Sequence, residues 1–350
     1  MQATLEGIAA AIRNYKGRPI KLMEVCGTHT AAISRQGVAS LLPEGISLVS
    51  GPGCPVCVTP GGYIDTLCRA ALADKTTVLT FGDMMRVPGS EGSLMEAKAR
   101  GGSVEMMYSP MDALRRAKAQ PEHTFLIAAL GFETTLPMYG LLLERLREER
   151  IDNVRLFPQL KALIPCLNWL CQRDPDIDGF LGPGHVSAIL GSDAFDPISE
   201  RYRVPMAIAG FGYEHLVVAL HDLITQVSQG RHEVRNFYPS AVLPQGNEKA
   251  QALIARCFVP QDSLWRGMGE VPDSGYGLAP EFAEYEAKLP MGQSTKEPPG
   301  CLCANVIIGR AIPTQCPMFG KTCLPENPVG PCMVSSEGSC GIWYQNRRAR

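Results

Sequence analysis

The chain has 350 residues, of which 45% are hydrophobic and 19% are charged, and its net charge is −2. This length suits two or three domains that each bury a core. The balanced charge leaves no basic surplus for a phosphate backbone, so we expect no nucleic-acid partner. The longest apolar stretches fall far short of the roughly 18 residues that span a bilayer, and the first residues lack a secretory signal. We therefore expect a cytoplasmic protein without a membrane partner.

Eight apolar runs between residues 15 and 230 are each followed by a turn and an amphipathic helix. In chain order the runs are PIKLMEV, ISLVS, TTVLTF, SVEMMYS, TFLIAAL, NVRLFPQ, DGFLG and PMAIAG. Strands that alternate with helices predict parallel sheets covered on both faces. A polar break that contains a proline at residues 120–121 separates the first four runs from the last four. We predict an α/β fold with two similar open parallel sheets, and one eight-stranded barrel is the alternative.

The predicted domains follow this division of the chain. Residues 1–120 contain Cys26 and a CPVC motif, residues 121–235 contain a GFETT motif, and residues 236–350 form a third, irregular segment. The last fifty residues hold six of the thirteen cysteines. A segment so poor in apolar periodicity is expected to need a metal for its stability.

The six C-terminal cysteines contain no C-x-x-C pair, which argues against a zinc ribbon with paired knuckles. A cytoplasmic compartment keeps thiols reduced, so a framework of disulfides is not expected either. Four thiolates from irregular loops suit a [4Fe-4S] cluster. One possible ligand set is Cys301, Cys316, Cys323 and Cys340. Cys303 or Cys332 could replace one member, and some of the six could simply be buried small hydrophobic residues.

Two further cysteine motifs follow the first two predicted strands. EVCGTHT places Cys26 after the first strand with His29 three residues later, and GPGCPVCVTP places Cys54 and Cys57 after the second. If these strands pair, the three thiols open onto the same sheet edge. Three interpretations stay open: a zinc site made by all four side chains, a redox-active Cys54/Cys57 pair beside a Cys26 thiol whose pKa His29 lowers, and inert packing.

Other strand ends carry candidate functional residues. GFETT offers Glu133 as a general base or a partner contact, and its threonines as helix caps. FGDMMR offers Asp83 and Arg86 as an ion pair or as part of a polar pocket, and FLGPGHVS offers His185 after a Gly-rich turn. The Gly-rich turns match neither the dinucleotide-binding pattern nor the P-loop, so nucleotide binding has no direct support.

Together, MEVCGTHT, GPGCPVCVTP, FGDMMRVPGS, GFETT, GFLGPGHVSAILG and the cysteine-rich segment from PTQC to EGSC resemble the HypD family of hydrogenase maturation proteins. The resemblance covers nearly the whole chain, in order. It implies a scaffold that binds the small chaperone HypC, receives cyanide ligands from HypE, assembles an Fe(CN)2(CO) unit and passes it to the precursor of the [NiFe]-hydrogenase large subunit. It also implies two similar α/β domains and a C-terminal [4Fe-4S] domain similar to ferredoxin-thioredoxin reductase.

The resemblance assigns roles to individual residues as well. Cys26 would be the thiolate that binds the iron of the Fe(CN)2(CO) unit together with a cysteine of HypC. Cys54 and Cys57 would be a redox pair, and His29 and Glu133 would belong to the same central cleft. The rival functions are a stand-alone thiol-disulfide oxidoreductase of the ferredoxin-thioredoxin-reductase type and a zinc-stabilised binding module. Independent turnover as an enzyme is left open.

The chain departs from the family pattern in two places. Ala31 stands where many members carry a second histidine, and AGFGYEH stands where they usually have AGFEP. The first departure weakens the idea that two histidines share proton transfer. The second raises the question whether Glu214 replaces the displaced acid.

Overall fold

The computed structural model describes residues 4–173, 176–291 and 298–346. The strands are β1 (Ile20–Glu24), β2 (Ile46–Ser50), β3 (Thr76–Thr80), β4 (Val104–Met106), β5 (Thr124–Gly131), β6 (Val154–Lys161), β7 (Gly179–Pro183), β8 (Met206–Ala209), β9 (Val234–Asn236), β10 (Phe258–Trp265) and β11 (Gly269–Leu278). The α-helices are α1 (Leu5–Arg13), α2 (Gly27–Arg35), α3 (Pro55–Val58), α4 (Gly61–Ala71), α5 (Leu94–Ala99), α6 (Asp112–Ala119), α7 (Leu136–Glu148), α8 (Leu163–Arg173), α9 (Gly184–Leu190), α10 (Asp196–Tyr202), α11 (Tyr213–Gln229), α12 (Glu248–Cys257), α13 (Cys303–Ile307) and α14 (Ser339–Gln345).

The strands form two mostly parallel sheets. The first sheet has the order β2-β1-β7-β8-β9 and all its pairs are parallel. The second has the order β10-β11-β6-β5-β3-β4, in which the last four strands are parallel and the β10–β11 hairpin is antiparallel. The predicted α/β class with two mostly parallel sheets is confirmed, and every predicted apolar run contains a strand.

The grouping of strands by chain order is wrong. The chain enters the first sheet with β1 and β2, makes β3 to β6 in the second, and returns to the first with β7 to β9. A division at residue 120 would therefore separate β3 from its partner β5, and with β3 the edge strand β4. Parallel strands that are buried on both faces all have similar short apolar sequences, so the pattern that locates a strand does not identify its neighbour.

The segment after residue 240 contains more regular structure than its sequence suggested. Helix α12 and the long hairpin β10–β11 occupy most of residues 248–278, and β11 extends the second sheet by pairing with the end of β6. Four consecutive residues of β10 are exposed and β11 is rich in glycine, so neither strand shows clear apolar alternation. Backbone hydrogen bonds between the two strands hold the hairpin together, and such bonds leave no side-chain pattern in the sequence.

The cysteine-rich C-terminal segment packs into the same core as the sheets. Met23 of β1, Leu126 of β5, Phe180 of β7 and Met333 all belong to one continuous cluster of buried apolar side chains. The segment therefore lies against both sheets. Across the three described ranges, no helix combines the length and the apolar character that a membrane span requires.

Candidate functional site

Cys26 lies in the turn between β1 and α2, where it is the residue before the first helical residue. Its side chain is buried, with 7% of the residue exposed. Burial, followed by the negative charges of Glu337 and Glu24, raises the pKa of the Cys26 thiol to about 12, although the backbone N–H of His29 opposes the shift. The shift is thus opposite in direction to the lowering by His29 that one of the three open interpretations included.

The His29 imidazole is fully buried and faces the first sheet. Its Nε2 lies 3.1 Å from the carbonyl oxygen of Ala209, at the end of β8, and its ring centroid is 4.9 Å from that of Phe211. A carbonyl can only accept, so Nε2 carries the proton and Nδ1 is a lone-pair acceptor. Burial lowers the pKa of His29 to about 4. The imidazole is therefore neutral at physiological pH.

The CPVC motif forms the short helix α3, and its two cysteines are joined by a disulfide. Their Cα atoms are 5.2 Å apart, and the Cys54 sulfur also accepts a hydrogen bond from the backbone N–H of Cys57 at 3.1 Å. Both cysteines are buried, with 5% of Cys54 and 2% of Cys57 exposed. Because the two sulfurs are bonded to each other and His29 turns toward Ala209, the arrangement does not support the four-ligand zinc site.

The two motifs meet because β1 and β2 are adjacent and parallel, as expected. Gly53, just before the CPVC cysteines, lies so close to the Cys26 turn that a Cβ there would be 2.4 Å from the Cys26 nitrogen and 2.5 Å from the Val25 carbonyl carbon. The Gly53 carbonyl also accepts a hydrogen bond from the Gly27 N–H at 3.5 Å. Glycine is thus required for the close approach of the disulfide to Cys26.

A Gly53→Ala variant is expected to separate these two turns. The added methyl group has backbone atoms as its nearest neighbours, so the clash cannot be relieved by a side-chain rotation, and we expect a loss of at least about 2 kcal/mol in the free energy of unfolding. Urea unfolding measures this loss. Gly45→Ala is the matched control because a Cβ at Gly45 has no atom within 4 Å, and equal stability of the two variants would contradict the account.

A cleft of about 190 Å³ lies between the carboxyl ends of the strands of both sheets. Cys26 and Gly53 line it from β1 and β2, and His185 lines it after β7. Residues of the GFETT turn and Glu337 of the C-terminal segment complete the wall. The cleft thus brings Cys26, the disulfide turn, the GFETT turn and His185 together, whereas His29 and Glu133 lie behind its surface.

Glu133 is buried beneath this cleft. Its Oε1 accepts a hydrogen bond from the Leu163 N–H at 2.8 Å, and within the described ranges its Oε2 has no hydrogen-bond partner. Burial raises the pKa of Glu133 to about 7, against the lowering effect of the Leu163 N–H. A carboxyl group with this pKa holds a proton that it can exchange near neutral pH.

The titration of Glu133 predicts a dependence of stability on pH. Its pKa is higher in the folded chain than the 4.5 of an ordinary glutamate, so its stabilising effect is complete below about pH 4.5 and is lost as the pH rises through about 7. Between about pH 4.5 and 8, the free energy of unfolding should fall by about 3 kcal/mol more in the wild type than in Glu133→Gln. Urea unfolding at several pH values tests this, and identical slopes would contradict it.

Glu337 is a site residue that the sequence motifs did not reveal. Its Oε1 accepts a hydrogen bond from the Thr28 hydroxyl at 2.8 Å, and a Cβ on Gly27 would be 2.4 Å from the Glu337 Cβ. Burial raises the pKa of Glu337, and the Thr28 hydroxyl opposes this shift. The contact joins residues 309 positions apart, so local spacing carries no sign of it.

Asp83 and Arg86 bind the C-terminal segment rather than forming a simple ion pair. The Oδ2 atom of Asp83 accepts hydrogen bonds from the hydroxyl groups of Ser335 and Ser336 and from the Ser336 N–H, at 3.0 to 3.3 Å. Arg86 donates to the Pro325 carbonyl at 3.1 Å. These contacts hold the loop that carries Glu337 against the turn after β3.

The C-terminal cysteines converge on one region. The sulfurs of Cys303 and Cys332, the two cysteines outside the expected ligand set, are 3.0 Å apart. Burial raises the pKa of the Cys340 thiol, and the nearby thiolates of Cys303, Cys323, Cys301 and Cys316 raise it further. The thiols of the expected ligand set and the Cys303/Cys332 pair therefore share one region, in which Cys303 also contacts Cys301.

The donor chemistry of this region fits the expected [4Fe-4S] cluster. The Val329 N–H lies 3.4 Å from the Cys323 sulfur, a contact of the kind that stabilises ligating thiolates. A Cβ on Gly330 would be 3.2 Å from the Cys301 sulfur and 3.4 Å from the Cys303 sulfur, so glycine allows the backbone to approach both thiols closely. In the part of the chain that the structure describes, no three His, Cys, Asp or Glu side chains are arranged as a metal site. The cysteines thus fit the expected cluster in the type of ligand they provide and in their shared location.

Comparison with known proteins places the chain in a family. The family model HypD, described as "Hydrogenase formation hypA family", matches residues 1–347. The chain is 43% identical over 336 residues to the hydrogenase maturation factor HypD of Escherichia coli (strain K12), an alignment that covers 95% of this chain and 90% of that relative. The chain belongs to the HypD family.

Other HypD relatives are similar over comparable lengths. The HypD factor of Rhizobium leguminosarum bv. viciae is 42% identical over 346 residues, covering 95% of this chain and 90% of the relative. That of Azotobacter vinelandii is 41% identical over 345 residues, covering 95% of this chain and 91% of that relative.

Glu214 of AGFGYEH is the candidate replacement for the displaced acid. It is exposed at the start of α11 and is not among the residues that line the cleft, so its position gives no support to that replacement.

Proposed function

We propose that this chain is a hydrogenase maturation factor that acts as the scaffold for an Fe(CN)2(CO) unit. HypC would be its partner in holding the unit, HypE would supply the cyanide ligands, and the large-subunit precursor of a [NiFe]-hydrogenase would receive the product. The observation that carries the proposal is a single cysteine, Cys26, in a cleft between two sheets, with a disulfide packed beside it. Membership of the HypD family supports the same role.

Cys26 is proposed to bind the iron of this unit, which is the substrate of the scaffold. A soft thiolate holds Fe(II) well while strong-field ligands are added. The cleft offers space beside the sulfur on the side lined by His185 and Glu337. A partner could therefore bring a second thiolate to the same iron without displacing Cys26.

The Cys54–Cys57 pair is proposed to supply electrons to the reaction at Cys26. Reduction of this disulfide stores two electrons as two thiols immediately next to the iron site. The proposed ligands Cys301, Cys316, Cys323 and Cys340 would hold a [4Fe-4S] cluster, which would supply one-electron chemistry when bound. Helix α3 packs against the turn Pro331–Met333 that carries Cys332, so the disulfide and the C-terminal thiols are neighbours.

A stand-alone thiol-disulfide oxidoreductase is the weaker candidate. Such an enzyme must expose its attacking sulfur to a protein substrate. Cys54 and Cys57 are instead buried beneath the Cys26 turn. Their position suits exchange inside the molecule better than attack on an external disulfide.

Complementation tests this function. In a host that lacks its own copy of the factor, the chain should restore processed and active [NiFe]-hydrogenase, and a Cys54→Ser variant should not. Reduction of insulin by the isolated chain tests the rival function, a stand-alone thiol-disulfide oxidoreductase. Insulin reduction at enzymatic rates together with no restored hydrogenase would reject the scaffold in favour of the oxidoreductase.

A further inference from the structure

Glu24 is a buried glutamate at the end of β1, close to Cys26, and only 3% of it is exposed. Its Oε2 accepts a hydrogen bond from the Cys26 N–H at 3.1 Å, and its Oε1 accepts one from the hydroxyl of Thr30 near the start of α2. The side chain of Ser50, at the end of β2, is a third hydrogen-bond partner. Because a buried carboxylate is costly unless it is hydrogen-bonded, these contacts determine where the Glu24 side chain lies.

The backbone of Glu24 also holds the turn that leads to the disulfide. Glu24 pairs with Ser50 in the register of β1 and β2, and its carbonyl accepts a hydrogen bond from the Gly51 N–H at 2.7 Å. A Cβ on Gly51 would be 2.9 Å from the same carbonyl oxygen. Gly51 is the first residue of the GPGCPVC sequence. Glu24 therefore contacts the beginning of both cysteine turns.

The other contacts of Cys26 come mainly from its own helix. Cys26 is the N-cap residue of α2 and has an extended backbone, with φ −151° and ψ 117°. Its carbonyl accepts hydrogen bonds from the N–H groups of His29 at 2.9 Å and Thr30 at 3.2 Å. These bonds place Cys26 relative to α2. The Glu24 carboxylate, which lies at the N-terminus of α2 where negative charge is favourable, joins this end of the helix to β1 and β2.

A second cavity, of about 280 Å³, borders Glu24. Glu24 and Thr30 line it together with apolar side chains such as Leu42 and Trp343, whereas Cys26 lines the cleft between the sheets. The carboxylate thus has open space on one side. Its hydrogen bonds, rather than close packing all around it, therefore determine where the Cys26 turn lies.

We propose that Glu24 is a positioning residue that directs the Cys26 sulfur into the cleft and sets its distance from the CPVC turn. The inference rests on the proposed iron-binding role of Cys26, and it adds the residue that orients this ligand. Its basis is the pair of hydrogen bonds from the Cys26 N–H and from Thr30 of α2, the strand register with Ser50 and the backbone bond to Gly51.

The hydrogen bond to the Cys26 N–H fixes the peptide plane from which the Cys26 side chain projects. A metal ligand must keep its position to within about 0.5 Å, and loss of a partner that orients a ligand typically costs about 10- to 100-fold in metal affinity or activity. Without the Glu24 carboxylate, the Cys26 thiolate should still be present but point in a different direction. The iron unit should then bind weakly or with altered geometry.

The test compares Glu24→Met and Glu24→Gln in the complete chain produced together with HypC. Methionine has a similar length but lacks both carboxylate oxygens, whereas glutamine keeps one acceptor oxygen. Glu96→Met is the matched control, because the Glu96 Oε2 also accepts from a backbone N–H and a hydroxyl, those of Ser93 at 2.7 and 3.3 Å, at the start of α5. Hydrogenase activity in a complemented host measures maturation, infrared bands of the purified complex report the iron unit, and urea unfolding reports the fold.

Glu24→Met should reduce maturation by about 10- to 100-fold, and the cyanide and carbonyl bands that remain should be shifted relative to those of the wild type. Glu24→Gln should recover part of the loss because it keeps one acceptor. Glu96→Met should match the wild type in maturation and in band positions, although it loses the capping box of α5. The band positions separate positioning from a general loss of stability, since a smaller amount of folded chain weakens the bands without moving them.

Two results would overturn the inference. Wild-type maturation with unmoved bands in Glu24→Met would show that Glu24 does not orient Cys26. Weaker bands at unmoved positions, in proportion to the loss of folded chain, would show that Glu24 only stabilises the fold. If Glu24→Met does not fold, Glu24→Gln decides the question, because unmoved bands in that variant reject the role and shifted bands support it. Failure of the proposed function is a different result, namely bands that persist in Cys26→Ala.

Discussion

A Cys26→Ala variant is expected to lose hydrogenase maturation by at least about 100-fold, because it removes the proposed iron ligand itself rather than an outer partner. The change removes one sulfur atom from a buried turn, so we expect a cost of about 1 kcal/mol in the free energy of unfolding. The folded chain should therefore persist. Hydrogenase activity in a complemented host measures the first effect, and urea unfolding measures the second.

Cys257→Ala is the control for this experiment. Cys257 is also a buried free cysteine, and its sulfur contacts the Gly140 carbonyl at 3.7 Å, in the core beside α7. It should match the wild type in maturation while losing a similar amount of stability. Normal maturation by Cys26→Ala would contradict the assignment of Cys26 as the iron ligand.

Cys323→Ala is expected to remove the proposed [4Fe-4S] cluster from the C-terminal segment. The anaerobically purified wild type should contain about four iron atoms per chain, and the variant close to none, because each iron of a [4Fe-4S] cluster needs its own thiolate. The segment should also lose stability, since ligand binding contributes to its folding. Iron analysis and visible absorbance measure the cluster, and limited proteolysis measures the segment.

Cys332→Ala is the matched variant from the pair outside the proposed ligand set. It should keep its iron because its sulfur faces that of Cys303 at 3.0 Å. If Cys332→Ala lost its iron and Cys323→Ala kept it, Cys332 rather than Cys323 would be the cluster ligand. If the wild type contained one zinc and no iron, the proposed cluster would be rejected in favour of a structural zinc site.

The strands were predictable from sequence, but their partners were not. An apolar run such as TTVLTF identifies β3 because a strand buried on both faces needs continuous apolar side chains. That β3 pairs with β5 rather than with β2 depends on the path of the whole chain. The hairpin β10–β11 shows the reverse problem, because its order comes from backbone pairing and its side chains show no clear apolar alternation.

The site was predictable where functional residues follow strands directly. Cys26 and the CPVC cysteines could be placed together because parallel neighbours end at the same sheet edge. Glu337 could not, since it reaches the site from a segment 309 positions away from its partner Thr28. The direction of the Cys26 pKa shift could not be predicted from the sequence either, because it depends on burial. The sequence shows that His29 is close to Cys26 but not that both residues are buried.

Infrared spectroscopy of the proposed complex with HypC tests the central claim most directly. Cyanide and carbonyl ligands on a low-spin iron have stretching bands in a region that is free of protein absorption, and these bands report the Fe(CN)2(CO) unit itself. The account predicts that the bands appear when this chain and HypC are produced together and that they are absent with Cys26→Ala, although the two proteins still associate. Unchanged bands in the Cys26→Ala complex would contradict the assignment of Cys26 as the iron ligand.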